Sequence, residues 1–88
     1  MYKVDVRPRA DKDIRGYLKA GNKTAFKKVQ AILKELELHP TTGTGQPEQL
    51  KYELSGYWSR RIDKMNRIIY RIEEEKVTVV VVSAMGHY

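Results

Sequence analysis

The second half of the chain constrains the fold most. From Lys51 to Ala84 it reads as short strand-like segments, KYELS, WSRRID, RIIYRIE and KVTVVVVSA, parted by SGY, Lys64-Met65-Asn66 and Glu74-Glu75. Connections of two to four residues leave no room for a crossover, so neighbouring segments must pair as antiparallel hairpins. Valines 79–82 break the alternation, which predicts a strand covered on both faces or central in the sheet. Ahead of these segments, YKVDVR alternates and predicts a first strand, ended by Pro8. Ala10, Ile14, Tyr17 and Leu18 then fall at helical spacing until Gly21-Asn22 stops the helix. Ala25, Phe26, Val29, Ile32, Leu33 and Leu36 form the apolar stripe of a second helix, with Asn22 or Thr24 as its cap. The order is β-α-α-β-β-β-β. It predicts an α+β fold with two N-terminal helices packed on one face of a mainly antiparallel sheet. Residues 1–88 are expected to form a single domain, without repeats or low-complexity segments.

Composition narrows the chemistry. With no cysteine there is no disulfide framework, thiolate nucleophile or thiolate metal site. The start lacks an apolar signal region, and the longest apolar run, Val79 to Val82, is too short to span a bilayer, so a cytoplasmic protein is expected. Lysine and arginine number 17 against 11 acidic residues, which favours a polyanion or an acidic protein as partner. Lys23, Lys27, Lys28 and Lys34 lie off the stripe of the second helix, as a solvated face or a binding surface. The loop TTGTGQPEQ, rich in glycine and small polar residues, is long for a compact domain and suits either function or a mobile connection.

Strand alternation gives the remaining charges a direction. In RIIYRI, Ile68, Tyr70 and Ile72 share the core face, while Arg67, Ile69 and Arg71 share the other. In WSRRID, Ser59, Arg61 and Asp63 oppose Trp58, Arg60 and Ile62. The two strands therefore present Arg61 and Arg67 close together. Adjacent guanidiniums repel unless an anion bridges them, and their geometry suits phosphate oxygens. Pairing with Glu53, Asp63 or Glu73 across the strands is the competing arrangement.

Known catalytic patterns are missing: there is no Walker loop, GxGxxG, HExxH or nucleophile elbow. The carboxylates are scattered apart from Glu73-Glu74-Glu75 at a predicted hairpin tip, so neither a metal site nor a cofactor is expected. Acid–base chemistry on a phosphodiester remains. RNA permits it through its own 2′-hydroxyl, given a base, an acid and cations on the phosphate. Glu48, His87 and the Arg61/Arg67 pair can supply these.

The stretch GTGQPEQLKYELSGYWSRRIDKMNRIIYRI, with the terminal GHY, resembles the YoeB family of toxin–antitoxin toxins within the wider RelE-like fold. The resemblance implies a ribosome-dependent endoribonuclease that cuts messenger RNA in the ribosomal A site without a metal. It implies inhibition by an acidic, YefM-like antitoxin, through which alone operator DNA is reached, and it allows a homodimer; no membrane is involved. Carried over by position, Glu48 is the general base, and Lys51 and Arg61 are substrate-binding cations. Arg67 is the cation on the scissile phosphate, His87 the acid for the leaving 5′-oxygen, and Tyr88 a residue that orients or stacks on substrate. Two departures from the family pattern are Gln49, where a second proline is common, and Met85, where a basic residue is often seen. They imply a less rigid loop around Glu48 and weaker RNA binding. A glutamate is a poor base unless burial raises its proton affinity, so low-dielectric surroundings are expected around Glu48, or a Lys51 partly neutralised by substrate phosphates. The alternative is a non-catalytic module of the same fold that poisons a target such as DNA gyrase by binding. A general RNA-binding domain would need exposed aromatics, and only Tyr57 and Tyr88 are expected to be free to stack.

Overall fold

The computed structural model describes residues 1–86. The terminal pair His87 and Tyr88, assigned above as acid and substrate-orienting residue, lies outside the described residues. Strand β1 (Lys3–Val6) leads into helices α1 (Pro8–Lys19) and α2 (Lys23–Leu36), followed by β2 (Glu48–Gln49), β3 (Tyr57–Arg61), β4 (Arg67–Glu73) and β5 (Thr78–Ser83). The sheet order is β1-β5-β4-β3-β2. All neighbours are antiparallel except β1, which runs parallel to β5 with Val4 opposite Val79. The α+β order expected from the sequence is the observed one.

Local chemistry starts the helices where expected. Pro8 opens α1, where its missing N–H costs nothing. Asn22 caps α2, its side-chain oxygen accepting from the Ala25 N–H at 3.1 Å. Ile14 and Tyr17 of α1 and Val29, Ile32 and Leu36 of α2 then bury themselves against Ile68, Tyr70, Val79 and Val81 of the sheet. Each such large apolar side chain contributes about 1.5–3 kcal/mol. β5 is the interior strand that its unbroken valines predicted, with Val79, Val80 and Val81 all buried. No helix among the described residues is long and apolar enough to cross a membrane.

One expected strand is displaced. KYELS alternates, yet Tyr52–Leu54 is a 3-10 turn, and the strand lies upstream at Glu48–Gln49. Tyr52 has φ +58, left-handed backbone that no strand tolerates. Glu48 therefore stands on a short edge strand rather than in a loop, with Gln49 opposite Trp58.

The loop before β2 is pressed onto β3. The Gly45 carbonyl accepts from the Arg61 N–H at 2.6 Å. A Cβ on Gly45 would lie 2.7 Å from the Arg61 carbonyl oxygen, and the residue has φ +87. Gly45→Ala is expected to cost more than the about 1–2 kcal/mol of the left-handed backbone alone. Gly21→Ala supplies the control, because Gly21 has φ +74 with nothing near the added carbon. Equal shifts in urea midpoint for the two variants would show that the loop does not press on β3.

Candidate functional site

The sheet has one face under the helices and one facing away from them. On the second face, register brings three of the candidate residues together. Glu48 pairs with Ser59, Ser59 with Ile69, and Ile69 with Ser83, so these four share one cross-strand row. Arg61 pairs with Arg67 in the next row on that face. The Arg61 N–H points to Gly45 and the Arg67 N–H to Gly86, so neither bonds the other. Theirs is the closely spaced kind of antiparallel pair, about 4.5 Å between Cα atoms, with side chains at their nearest. Glu48 is the diagonal neighbour of Arg61, at about 7–8 Å.

No ion pair forms on Arg61 or Arg67 among the described residues. Two of the carboxylates named as competing partners are engaged elsewhere. Glu73 holds Arg71 at 3.0 Å and Lys76 at 3.8 Å, and Asp63 accepts from the Met65 and Asn66 N–H groups of its own turn at 2.8 Å. Cross-strand neutralisation is thus not the arrangement of this pair. Two like charges at the closest strand spacing make a place for a bridging anion. The row beside them is walled by small or apolar groups, Ser59, Ile69 and Ser83, all at least 97% buried. Among the described residues the Ser83 hydroxyl has no hydrogen-bond partner.

Other candidates fall differently. Lys51 is exposed and lies beyond Glu48 on the side away from Arg61, as the residue preceding the Tyr52–Leu54 turn. Glu48 itself is exposed, so the low-dielectric surroundings expected for it do not exist in the free chain. Tyr57 is half-buried. Among the described residues the exposed aromatic is Tyr52, 91% exposed beside Lys51. Met85 is held with its methyl 3.5 Å from where a Cβ on Gly16 would sit. No cluster of three or more carboxylate or imidazole groups suited to a metal occurs among the described residues. A hollow of about 450 Å³ borders Lys3, Arg7, Arg71, Glu73 and Lys76. It lies over β1, β5 and the far end of β4, away from the Arg61–Arg67 pair, and much of its charge is paired internally.

Sequence reasoning missed Arg60. Its side chain is fully buried, and it organises the loop that carries Glu48. Nε donates to the Tyr70 hydroxyl at 3.1 Å, and Nη1 donates to Glu35 at 2.8 Å. Nη1 also reaches the Thr44 carbonyl, and Nη2 donates to the carbonyls of His39 and Thr42. The Tyr70 hydroxyl in turn donates to the Pro40 carbonyl at 2.7 Å. One guanidinium thus ties residues 39–44 to the sheet. The signal was present: alternation put Arg60 on the core face with Trp58 and Ile62, where a charge must find partners.

The Thr44 hydroxyl is the chief cause that holds the Glu35 carboxyl below its ordinary value of 4.5, with further help from the Thr44 N–H and Arg60 and opposition from burial. A depressed value in the folded state means that the unfolded chain takes up the proton first. The stabilisation is therefore complete above about pH 5 and drains away as acid is added through the folded-state value. Glu35→Gln is expected to flatten the acid limb of a Tm-against-pH curve. Parallel curves for the two proteins would show that the contact contributes nothing to acid stability.

Two helices on one face of a five-stranded sheet with β1 parallel to β5 are the architecture of the RelE-like class of toxins. Similar solved structures agree. A YoeB/ParE toxin from Agrobacterium tumefaciens superposes with a TM-score of 0.89 at 27% identity, over 98% of this chain and 99% of that one. The toxin in a YoeB-YefM complex from Staphylococcus aureus gives 0.81 at 30% identity, over 100% of this chain and 99% of that one. The Toxin RelK of Mycobacterium tuberculosis is 41% identical over 88 residues, all of both chains. A family model described as YoeB-like toxin of bacterial type II toxin-antitoxin system matches residues 8–88, and the chain belongs to that family.

Proposed function

We propose that this toxin is a ribosome-dependent endoribonuclease that cuts messenger RNA in the A site, without a metal. The observation that carries the reading is the Arg61–Arg67 couple, closely spaced and without an ion pair among the described residues, diagonal to the Glu48 carboxylate on one sheet face. In this reading Glu48 takes the proton from the 2′-hydroxyl. The 2′-oxygen forms a bond to phosphorus as the bond from phosphorus to the 5′-oxygen breaks, and His87 gives its proton to the departing oxygen. Arg67, with Arg61 beside it, stabilises the charge that builds on the phosphoryl oxygens. Lys51 contributes a longer-range positive potential, and Tyr88 orients the substrate. The products are a 5′-hydroxyl end and a 2′,3′-cyclic phosphate end, or the 3′-phosphate that water makes from it. Because Glu48 is exposed in the free chain, the desolvation that would make it an effective base has to come from the bound ribosome and message.

Within the same reading the toxin acts in the cytoplasm and is held inactive by an acidic antitoxin. The family and the net charge of +6 support that partner, and a solved relative is itself a YoeB-YefM complex. A homodimer is a second assembly consistent with a YoeB dimer solved from Staphylococcus aureus. The test is cleavage of a defined messenger by the purified protein, with and without programmed ribosomes, in chelator, beside His87→Gln. Cuts within the A-site codon that need both the ribosome and His87 are expected. A folded protein that binds ribosomes and cuts nothing would make it a binding module.

A further inference from the structure

We infer that Thr44 and Gln46 are positioning residues for the Glu48 carboxylate: the Glu35–Arg60 ion pair grips Thr44, and the stiff link from Gly45 to Pro47 carries that grip to the base. The inference rests on the nuclease reading above. β2 has only two residues and lies at the edge of the sheet, with β3 as its one neighbour. So short an edge strand is by itself a weak hold for a carboxylate that must keep a fixed separation from Arg61 and Arg67. The residues just upstream supply the hold. Thr44 gives its hydroxyl and both of its backbone polar groups to the ion pair. The hydroxyl donates to Glu35 Oε2 at 2.5 Å, the N–H donates to Glu35 Oε1 at 2.8 Å, and the carbonyl accepts from Arg60 Nη1 at 3.4 Å. Glu35 Oε1 also accepts from Arg60 Nη1 at 2.8 Å, which closes the grip.

Both members of the pair are fixed. Glu35 extends from the last turn of α2, next to the fully buried Leu36, and the Arg60 side chain is fully buried. Gly43, with φ +120, packs against the pair so closely that a Cβ there would collide with the Glu35 carboxylate. Beyond Thr44 the chain has little freedom. The Gly45 carbonyl is held by the Arg61 N–H at 2.6 Å. Gln46 takes φ +53, left-handed backbone that a residue with a Cβ resists. Such a conformation persists only where the surroundings force it, and it marks sites where geometry matters more than stability. Pro47 then has its φ locked by its ring, and Glu48 follows directly. Three constrained residues in a row pass a displacement at Thr44 on to Glu48 rather than absorb it. The same stretch is bound to the backbone of Arg61, the member of the arginine couple diagonal to Glu48. Base and cation are therefore set from one anchor, and a misplacement of about 1 Å between reacting groups is enough to slow a reaction strongly.

The test uses Thr44→Val, which removes the hydroxyl and keeps the shape, and Gln46→Gly, which relaxes the backbone. Thr44→Ser is the conservative change, because it keeps the hydroxyl. Both residues are exposed, so none of these changes touches the core. Each is made alone and on Glu48→Gln, beside Gly21→Ala as a variant destabilised outside the site. The first readout is hydrogen exchange of the Arg61 and Leu50 amides in the free protein, whose bonds to the Gly45 and Tyr57 carbonyls lie on either side of Glu48. The second is single-turnover cleavage on saturating programmed ribosomes, with ribosome affinity measured separately. Thr44→Val is expected to speed exchange at both amides about tenfold, and Gln46→Gly to do so at Leu50. Each should slow cleavage about tenfold to a hundredfold, leave affinity within about twofold, and add nothing on Glu48→Gln. Gly21→Ala is expected to lower the urea midpoint more than Gln46→Gly does and to cleave normally. Thr44→Ser is expected to cleave close to the wild-type rate. Unchanged exchange at Leu50 in both variants would overturn the link, whatever the cleavage. Altered exchange with normal cleavage, an equal loss on Glu48→Gln, or a matching loss in Gly21→Ala would overturn its role in placing the base. A fall in affinity as large as the fall in rate would make the loop a docking element and overturn that role too. A wild-type protein that cuts no message overturns the nuclease reading instead, and the exchange data then decide the link alone.

Discussion

Arg60→Met is expected to lose about 3–5 kcal/mol of stability, because it strips the half-buried Glu35 carboxylate and three loop carbonyls of a fully buried shared donor. The guanidinium is fully buried and serves Glu35, Tyr70 and the carbonyls of His39, Thr42 and Thr44. Its loss leaves the three loop carbonyls without this donor, while Glu35 keeps its Thr44 bonds and Tyr70 its bond to Pro40; a polar group left without its partner costs more than the bond itself is worth. Methionine fills much of the volume, so the loss reports on polar satisfaction rather than on a cavity. Tyr70→Phe removes the Tyr70 hydroxyl and both of its bonds and is expected to cost only about 1–3 kcal/mol. Urea unfolding measures both, and Arg60→Lys keeps the charge but not the fork should the methionine variant fail to fold. A loss under about 1 kcal/mol for Arg60→Met would mean that the loop carbonyls find water instead. The consequence reaches the site, because the loop that Arg60 ties down also presents Gly45 to Arg61 and leads into Glu48.

For activity, Arg67→Ala is expected to have a large effect, lowering single-turnover cleavage about 100- to 1,000-fold while ribosome affinity falls far less. The reasoning is that a cation aimed at developing phosphoryl charge acts in the transition state, whereas a docking cation acts equally before it. Arg67 is half-buried against the sheet and paired with Arg61, so its head group is placed by backbone register rather than by a flexible surface. Arg61→Ala is expected to be milder, because Arg61 is the exposed member of the couple. Equal loss of rate and affinity in Arg67→Ala would make it a docking residue. An unchanged rate would remove the arginine couple from the chemistry altogether.

Features that depend on neighbours along the chain were legible in the residues. Helical spacing in the first 36 residues gave both helices and their core stripes. Alternation and short connections gave β3, β4 and β5 and the side-by-side placement of Arg61 and Arg67, since one tight turn at Lys64–Asn66 sets their register. The same local logic failed at KYELS, where alternation mimics a strand but Tyr52 takes a left-handed backbone. It also missed the exposed Tyr52, because exposure depends on what packs above a residue. The remaining features come from contacts between residues far apart along the chain. The burial of Arg60 on Glu35, the parallel seat of β1 beside β5, and the capture of Ala84 by Asp13 and Tyr17 join residues 25, 75 and 71 or 67 positions apart. No short-range periodicity encodes such pairs. They exist because stacking two helices on one face of a twisted sheet brings distant polar groups into a space with no water to satisfy them, so they satisfy one another.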